Sequence, residues 1–280
     1  MMLPQSPRPE TPIAPARIER VTRVGRERPL GPGVLNREVI APDDLRANSP
    51  FVLLVEDFIE PQDGYHDHPH RGLETVTFVL SGELEHGDHL GNRGVSLPGD
   101  VQWMTAGSGI VHGGRPANGT TVHALQLWLN LPEALRAAPP GSRDQRRAQA
   151  RVEDGDGMTV RVYGEGAPGA WSRYPMTLRD IASDGGGSIE TVLPPGRTFL
   201  YVVSGAADIG GRAVAAGDVL RLAVAATPTA LAVRSGGPVR IVAYSGEPIA
   251  EDVVAHGPFV AGSMDGIRRA YADLQAGTFL

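Results

Sequence analysis

Hydrophobic residues along this chain come in short runs separated by turns rich in glycine and proline. Phe51-Val52-Leu53-Leu54-Val55-Glu56-Asp57-Phe58 is dense in apolar residues and reads as a strand. Glu74-Thr75-Val76-Thr77-Phe78-Val79-Leu80, rich in β-branched and aromatic residues, reads as a buried strand ending at Ser81-Gly82. From His123 to Leu131, with Gln126, Trp128 and Asn130 between apolar neighbours, the pattern alternates as in another strand. Ile18, Val21 and Val24 are spaced for a strand pair or hairpin, broken by Gly25 and by Pro29-Leu30-Gly31-Pro32-Gly33. Many short strands divided by glycine turns predict an all-β barrel or sandwich. The tail differs: Ser263 suits a helix N-cap, Ile267, Ala270, Tyr271 and Leu274 follow at helical spacing, and Gly277 suits the stop.

The pattern repeats. Phe78-Val79-Leu80-Ser81-Gly82 followed by Pro98-Gly99-Asp100-Val101 is echoed by Tyr201-Val202-Val203-Ser204-Gly205 followed by Ala216-Gly217-Asp218-Val219. The second copy has a shorter hairpin, so two related but unequal β-barrels are expected. Between them the chain from Pro139 to Gly157 is polar, with arginines and acids interspersed, and reads as a solvated linker. The expected organisation is a flexible arm over 1–16, a first barrel over 17–136, a linker over 137–157, and a second barrel with the C-terminal helix over 158–280.

Composition narrows the function. Of 280 residues 41% are hydrophobic, enough for a packed core, and the net charge of −6 with scattered basic residues predicts no direct binding to nucleic acid or an anionic membrane. The proline-rich start has no apolar run of the kind a signal peptide or anchor needs, so a cytoplasmic protein is expected. With no cysteine in the chain, disulfides, thiolate ligands and cysteine nucleophiles are excluded, and any metal must be held by His, Asp or Glu.

The histidines are concentrated. Seven of eight lie between positions 66 and 123, and the 157 residues after that window hold only His256. On a strand, His68 and His70 would present both imidazoles on one face, with Pro69 suiting an edge or a strand start. His112 returns after the Pro98-Gly99-Asp100 turn, and the second copy of the repeat carries no counterpart. His68, His70 and His112 are therefore the candidate ligands of one mononuclear metal ion. Iron, nickel, copper, manganese and zinc all suit such a set, and open positions would remain for a small-molecule substrate and dioxygen. Glu74, four residues after His70, shares its face if the strand runs unbroken and is a candidate fourth ligand. His66, His86, His89 and His123 are weaker candidates, read as exposed or as supports to the ligands. Trp103, Met104 and Phe78 read as core, with an apolar pocket wall as the alternative.

Three segments resemble the pirin family of the cupin superfamily: His68-Pro69-His70-Arg71-Gly72-Leu73-Glu74-Thr75-Val76, the run from Pro98 to His112, and Leu125-Gln126-Leu127-Trp128-Leu129-Asn130-Leu131. Gly257-Pro258-Phe259-Val260 and the following helix match as well. The resemblance implies a bicupin with one iron-type site in the N-terminal barrel, at His68, His70 and His112. It also implies either quercetin 2,3-dioxygenase activity on flavonol-like or other chelating substrates, or iron-dependent regulation through a protein partner. The family places a glutamate two residues after the third histidine, and here that position is Gly114. The resemblance thus implies a three-histidine site completed by water, one completed by Glu74, or a site that has lost its metal.

Overall fold

A computed structural model describes residues 13–166 and 169–280. Two all-β barrels stand side by side, with a C-terminal helix returning to the first. In the first, a seven-stranded sheet (including Phe51–Ile59, Leu73–Ser81, Val101–Thr105 and Val122–Asn130) faces a four-stranded sheet of Tyr65–His70, Ile110–Pro116, Leu84–Asp88 and Arg93–Ser96. The second is a ten-stranded sheet built around Arg197–Ile209, Val239–Gly246 and Met176–Ser183.

The sequence repeat is a repeated turn. Gly99 and Gly217 both have φ near +90°, a region open to glycine, and each donates its N–H back to a preceding strand, to Val79 and Val202 respectively. The following aspartate closes each turn: Asp100 accepts from Leu97 N at 3.0 Å, and Asp218 accepts from Ala215 N at 2.8 Å. The same hydrogen bonds therefore start the equivalent strand in both barrels.

The strand Leu73–Ser81 is buried on both faces except at its last residue, which explains its near-continuous apolar character. One face carries Val76, Phe78 and Leu80, which join Trp103, Leu125 and Leu127 in a cluster completed by Tyr163, Phe199, Tyr201 and Tyr244 of the second barrel. Phe78 meets Tyr163 at 5.7 Å between ring centroids, and Phe51 meets Phe199 edge-on at 5.9 Å. Full burial of each such aromatic contributes roughly 1.5–3 kcal/mol. Phe78, Trp103 and Met104 are core, and none of the three lines either of the two cavities described below.

The predicted domain limits are crossed in three places. Ile18–Arg23 pairs with Asp218–Leu222 of the second sheet and not within a local hairpin; Arg28–Gly31 pairs instead with Val34–Ile40. Of the predicted arm, residues 1–12 lie outside the described residues, and Ala16 donates its N–H to Ala230 at 2.7 Å. The stretch read as a linker is built into both barrels: Gly141–Gln145 pairs with Val101–Thr105, and Arg151–Asp154 with Thr159–Tyr163. Each is the outermost strand of its sheet, so each pairs on one side only and keeps polar residues. Its polarity marks strand edges, not solvated coil. Finally, Val254–His256, Phe259–Ala261 and the helix Met264–Ala276 pack on the first barrel. That helix is capped as predicted: Ser263 accepts from Gly266 N at 3.4 Å, and Gly277 is left-handed at φ 71°.

Candidate metal centre

His68 and His70 lie on Tyr65–His70, and His112 on the antiparallel Ile110–Pro116. The register sets His112 directly opposite His68, while the two-residue period keeps His70 on the same face as His68. One ring nitrogen from each of the three lies within 4.8 Å of the others. Their ring centroids are 4.4–5.2 Å apart.

The outward nitrogens are all engaged. His68 Nδ1 bonds the His66 carbonyl at 2.7 Å, His70 Nδ1 bonds the Pro258 carbonyl at 3.0 Å, and His112 Nδ1 faces His86 Nε2 at 3.2 Å. A carbonyl only accepts, so Nδ1 carries the proton in His68 and His70 and the lone pair is on Nε2. With His112 Nδ1–H donating to His86, the third ring adopts the same tautomer. The Nε2 atoms of His70 and His112 are buried with no hydrogen-bond partner. Buried lone pairs without a donor are costly, and a cation shared among them removes that cost. The donor set fits a metal ion.

Electrostatics favour the same state. Burial lowers the pKa of all three: His70 falls to about 3 through desolvation and then the charge of His68, and His112 is lowered by desolvation and then by His68, His70 and His86. Neutral imidazoles are the form in which histidine can donate a lone pair to a cation.

Glu74 is not brought to this cluster. The chain turns at Gly72, with φ 79°, so Tyr65–His70 and Leu73–Ser81 enter different sheets and the two-residue period does not carry through. Glu74 shares its face with Val76 and Phe78 and points toward the second barrel. It accepts from Thr105 Oγ1 of the neighbouring strand at 2.5 Å, and from Ser172 Oγ and Arg173 N (2.9 Å) of the second half. At Gly114 no side chain enters, and its cross-strand partners are His86 on one side and Tyr65 on the other. Among the weaker candidates, only His86 touches the cluster. His123 bonds Glu56 at 2.8 Å, His89 accepts from Val111 N at 3.2 Å, and His66 lends only its carbonyl.

Behind His68 and His112 lies a cavity of about 30 Å³, enough for about one water. Asp57, Tyr65, Thr77, Gln102 and Gln126 set polar groups into a lining that Ile59, Leu84 and Ala124 share. Asp57 accepts from Asn36 Nδ2 at 2.8 Å, and burial pushes its carboxyl up to about 6. Asp57 is a site residue that the sequence reading did not single out, although an acid within an apolar strand run is a visible signal. A larger cleft of about 1060 Å³ sits in the second half, around Trp171, Tyr174 and Pro248, and no histidine lines it among the described residues.

Known proteins share this architecture. Human pirin is 34% identical over 261 residues, covering 90% of both chains. The solved structure of quercetin 2,3-dioxygenase from Acinetobacter baumannii superposes with a TM-score of 0.85 at 27% identity, covering 95% of this chain and 99% of its own. A bacterial pirin from Escherichia coli in complex with nickel(II) shares the fold, with a TM-score of 0.65 at 20% identity over 82% of this chain and all of its own. The Pirin family model matches residues 34–129 and the Pirin C-terminal cupin domain model matches residues 178–280, and on these matches the chain belongs to the pirin family.

Proposed function

We propose that this chain is a metal-dependent oxygenase of the quercetin 2,3-dioxygenase type, holding one mononuclear ion through Nε2 of His68, His70 and His112. The observation that carries this reading is the orphaned, inward-facing Nε2 pair of His70 and His112, aligned by engaged Nδ1 atoms. Iron leads the candidate metals, with nickel, copper, manganese and zinc compatible with an imidazole set. Bound there, the ion would supply Lewis acidity, drawing together two adjacent substrate oxygens and making an electron-rich ring accessible to dioxygen.

The chain's own residues define the approach. The cavity behind the histidines is far smaller than a flavonol, so a substrate of that size enters from the side of half-buried His68. Tyr65 keeps its proton and Asp57, raised to about 6, exchanges one just below neutral pH, while Gln102 and Gln126 supply amide donors and acceptors to the same cavity. With Gly114 in place of a carboxylate, substrate oxygens face no negative ligand from the Ile110–Pro116 strand.

Oxygen consumption on adding quercetin to metal-reconstituted protein tests the proposal. Uptake that disappears in His112→Ala supports it; no uptake with any of the five metals rejects it. A second reading, regulation of a protein partner by metal state, is favoured by a separate observation: a surface segment of the C-terminal tail touches the strands that carry the histidines.

A further inference from the structure

The tail reaches the centre by three routes. The Pro258 carbonyl accepts from His70 Nδ1 and so fixes the tautomer that leaves Nε2 free. Arg71, the next residue, donates to Asp273 Oδ2 at 2.6 Å and to the Phe279 carbonyl at 2.8 Å, with its guanidinium 4.3 Å from the Phe279 ring centroid. Its own carbonyl accepts from Val260 N at 3.0 Å. On the opposite strand, Val111, adjacent to His112, packs against Phe259, Ile267, Ala270 and Phe279.

The approach is close enough to exclude side chains. A Cβ on Gly72 would lie 2.0 Å from the Val260 carbonyl oxygen, and one on Gly109 would lie 2.8 Å from that of Phe279. Both strands that present histidines are therefore seated on the tail.

We infer that the segment from Val254 to Leu280 is a positioning element of the metal centre, so that docking of this tail and binding of the ion strengthen each other. This rests on the three-histidine reading above. If the docked tail favours the aligned histidines, the bound ion must favour the docked tail by the same factor. Tail undocking releases the Pro258 carbonyl, and His70 is then free to rotate or change tautomer. Loss of a residue that orients a ligating histidine weakens metal binding by roughly 10- to 100-fold. Asp273 acts one link further out, through Arg71, so its loss falls at the lower end.

Zinc, which has no redox chemistry, is the probe. Its affinity is measured by competition with a chromophoric chelator for the wild type, Asp273→Ala and Asp218→Ala, and amide exchange of residues 254–276 is followed in the wild type with and without saturating zinc. Asp218→Ala, which breaks an ion pair with Arg23 in the second sheet, controls for general destabilisation. The expected result is about tenfold weaker zinc binding in Asp273→Ala, no change in Asp218→Ala, and tail exchange slowed by a similar factor when zinc binds. Exchange in 254–276 indifferent to zinc, or Asp273→Ala within twofold of the wild type, overturns the coupling. Failure of the wild type to bind zinc overturns the three-histidine site itself, and the coupling with it.

Discussion

Burial of the histidines has a measurable consequence in the metal-free protein. His70 is held near a pKa of about 3, against 6.5 when unfolded, because its charged form would be desolvated and would face His68. Between those values the unfolded chain binds a proton at this residue and the folded chain does not, so folding stability falls as pH drops through 6.5 and keeps falling until pH approaches 3. At pH 5 the penalty is about 2 kcal/mol for this one histidine, and at pH 7.5 it is close to zero. The pH 5 figure barely depends on the folded value provided it lies below about 4. Asp57, raised to about 6, acts in the opposite direction, since its buried carboxyl is more easily protonated folded than unfolded. Comparing wild type with His70→Gln cancels that contribution. Urea unfolding of both chelator-treated proteins at pH 7.5 and 5.0 should show the wild type losing about 2 kcal/mol more than the variant over that interval. An equal loss in the two proteins, to within about 0.5 kcal/mol, would mean that His70 is solvated in the metal-free state, against the geometry described.

Two substitutions separate the carboxylate positions. Glu74→Gln should leave metal affinity within twofold of the wild type and lower stability by about 2–3 kcal/mol, because it weakens charge-assisted bonds from Thr105 within the first barrel and from Ser172 and Arg173 across to the second; a metal titration and a urea curve measure both, and a large affinity loss at unchanged stability would make Glu74 a ligand. Gly114→Glu places a Cβ 3.2 Å from the Glu85 carbonyl oxygen and 3.6 Å from Leu84 Cδ1, a tight but open position opposite His86. It should raise metal retention against a chelator and change any quercetin-dependent oxygen consumption, since the new carboxylate takes a position otherwise free for substrate. Retention no better than the wild type would show that residue 114 does not face the ion.

Much of this was legible in the sequence, and the misses share a cause. Dense apolar and β-branched runs placed the strands Phe51–Ile59 and Leu73–Ser81, capping chemistry placed the Met264–Ala276 helix, and histidine spacing named the three rings that the structure gathers. What period-two reasoning could not supply was which sheet each strand joins. Glu74 was extrapolated across Gly72, where the chain leaves one sheet for another. The Gly141–Gln145 and Arg151–Asp154 strands looked like solvated linker because edge strands keep polar residues, and Ile18–Arg23 gave no hint that its partner lay some two hundred residues away. Pro258, which orients His70 through a backbone carbonyl, carries no side-chain signal for that role. Long-range pairing and main-chain contacts leave little trace in local pattern.

The central claim is one metal ion per chain, bound in the N-terminal barrel by three histidines. Elemental analysis of protein reconstituted with iron or zinc and freed of excess metal tests it directly, run alongside His68→Ala, His70→Ala and His112→Ala. One equivalent per wild-type chain is predicted, with each variant folded and close to zero. A full equivalent retained by the His112→Ala variant, or none held by the wild type, would contradict the account.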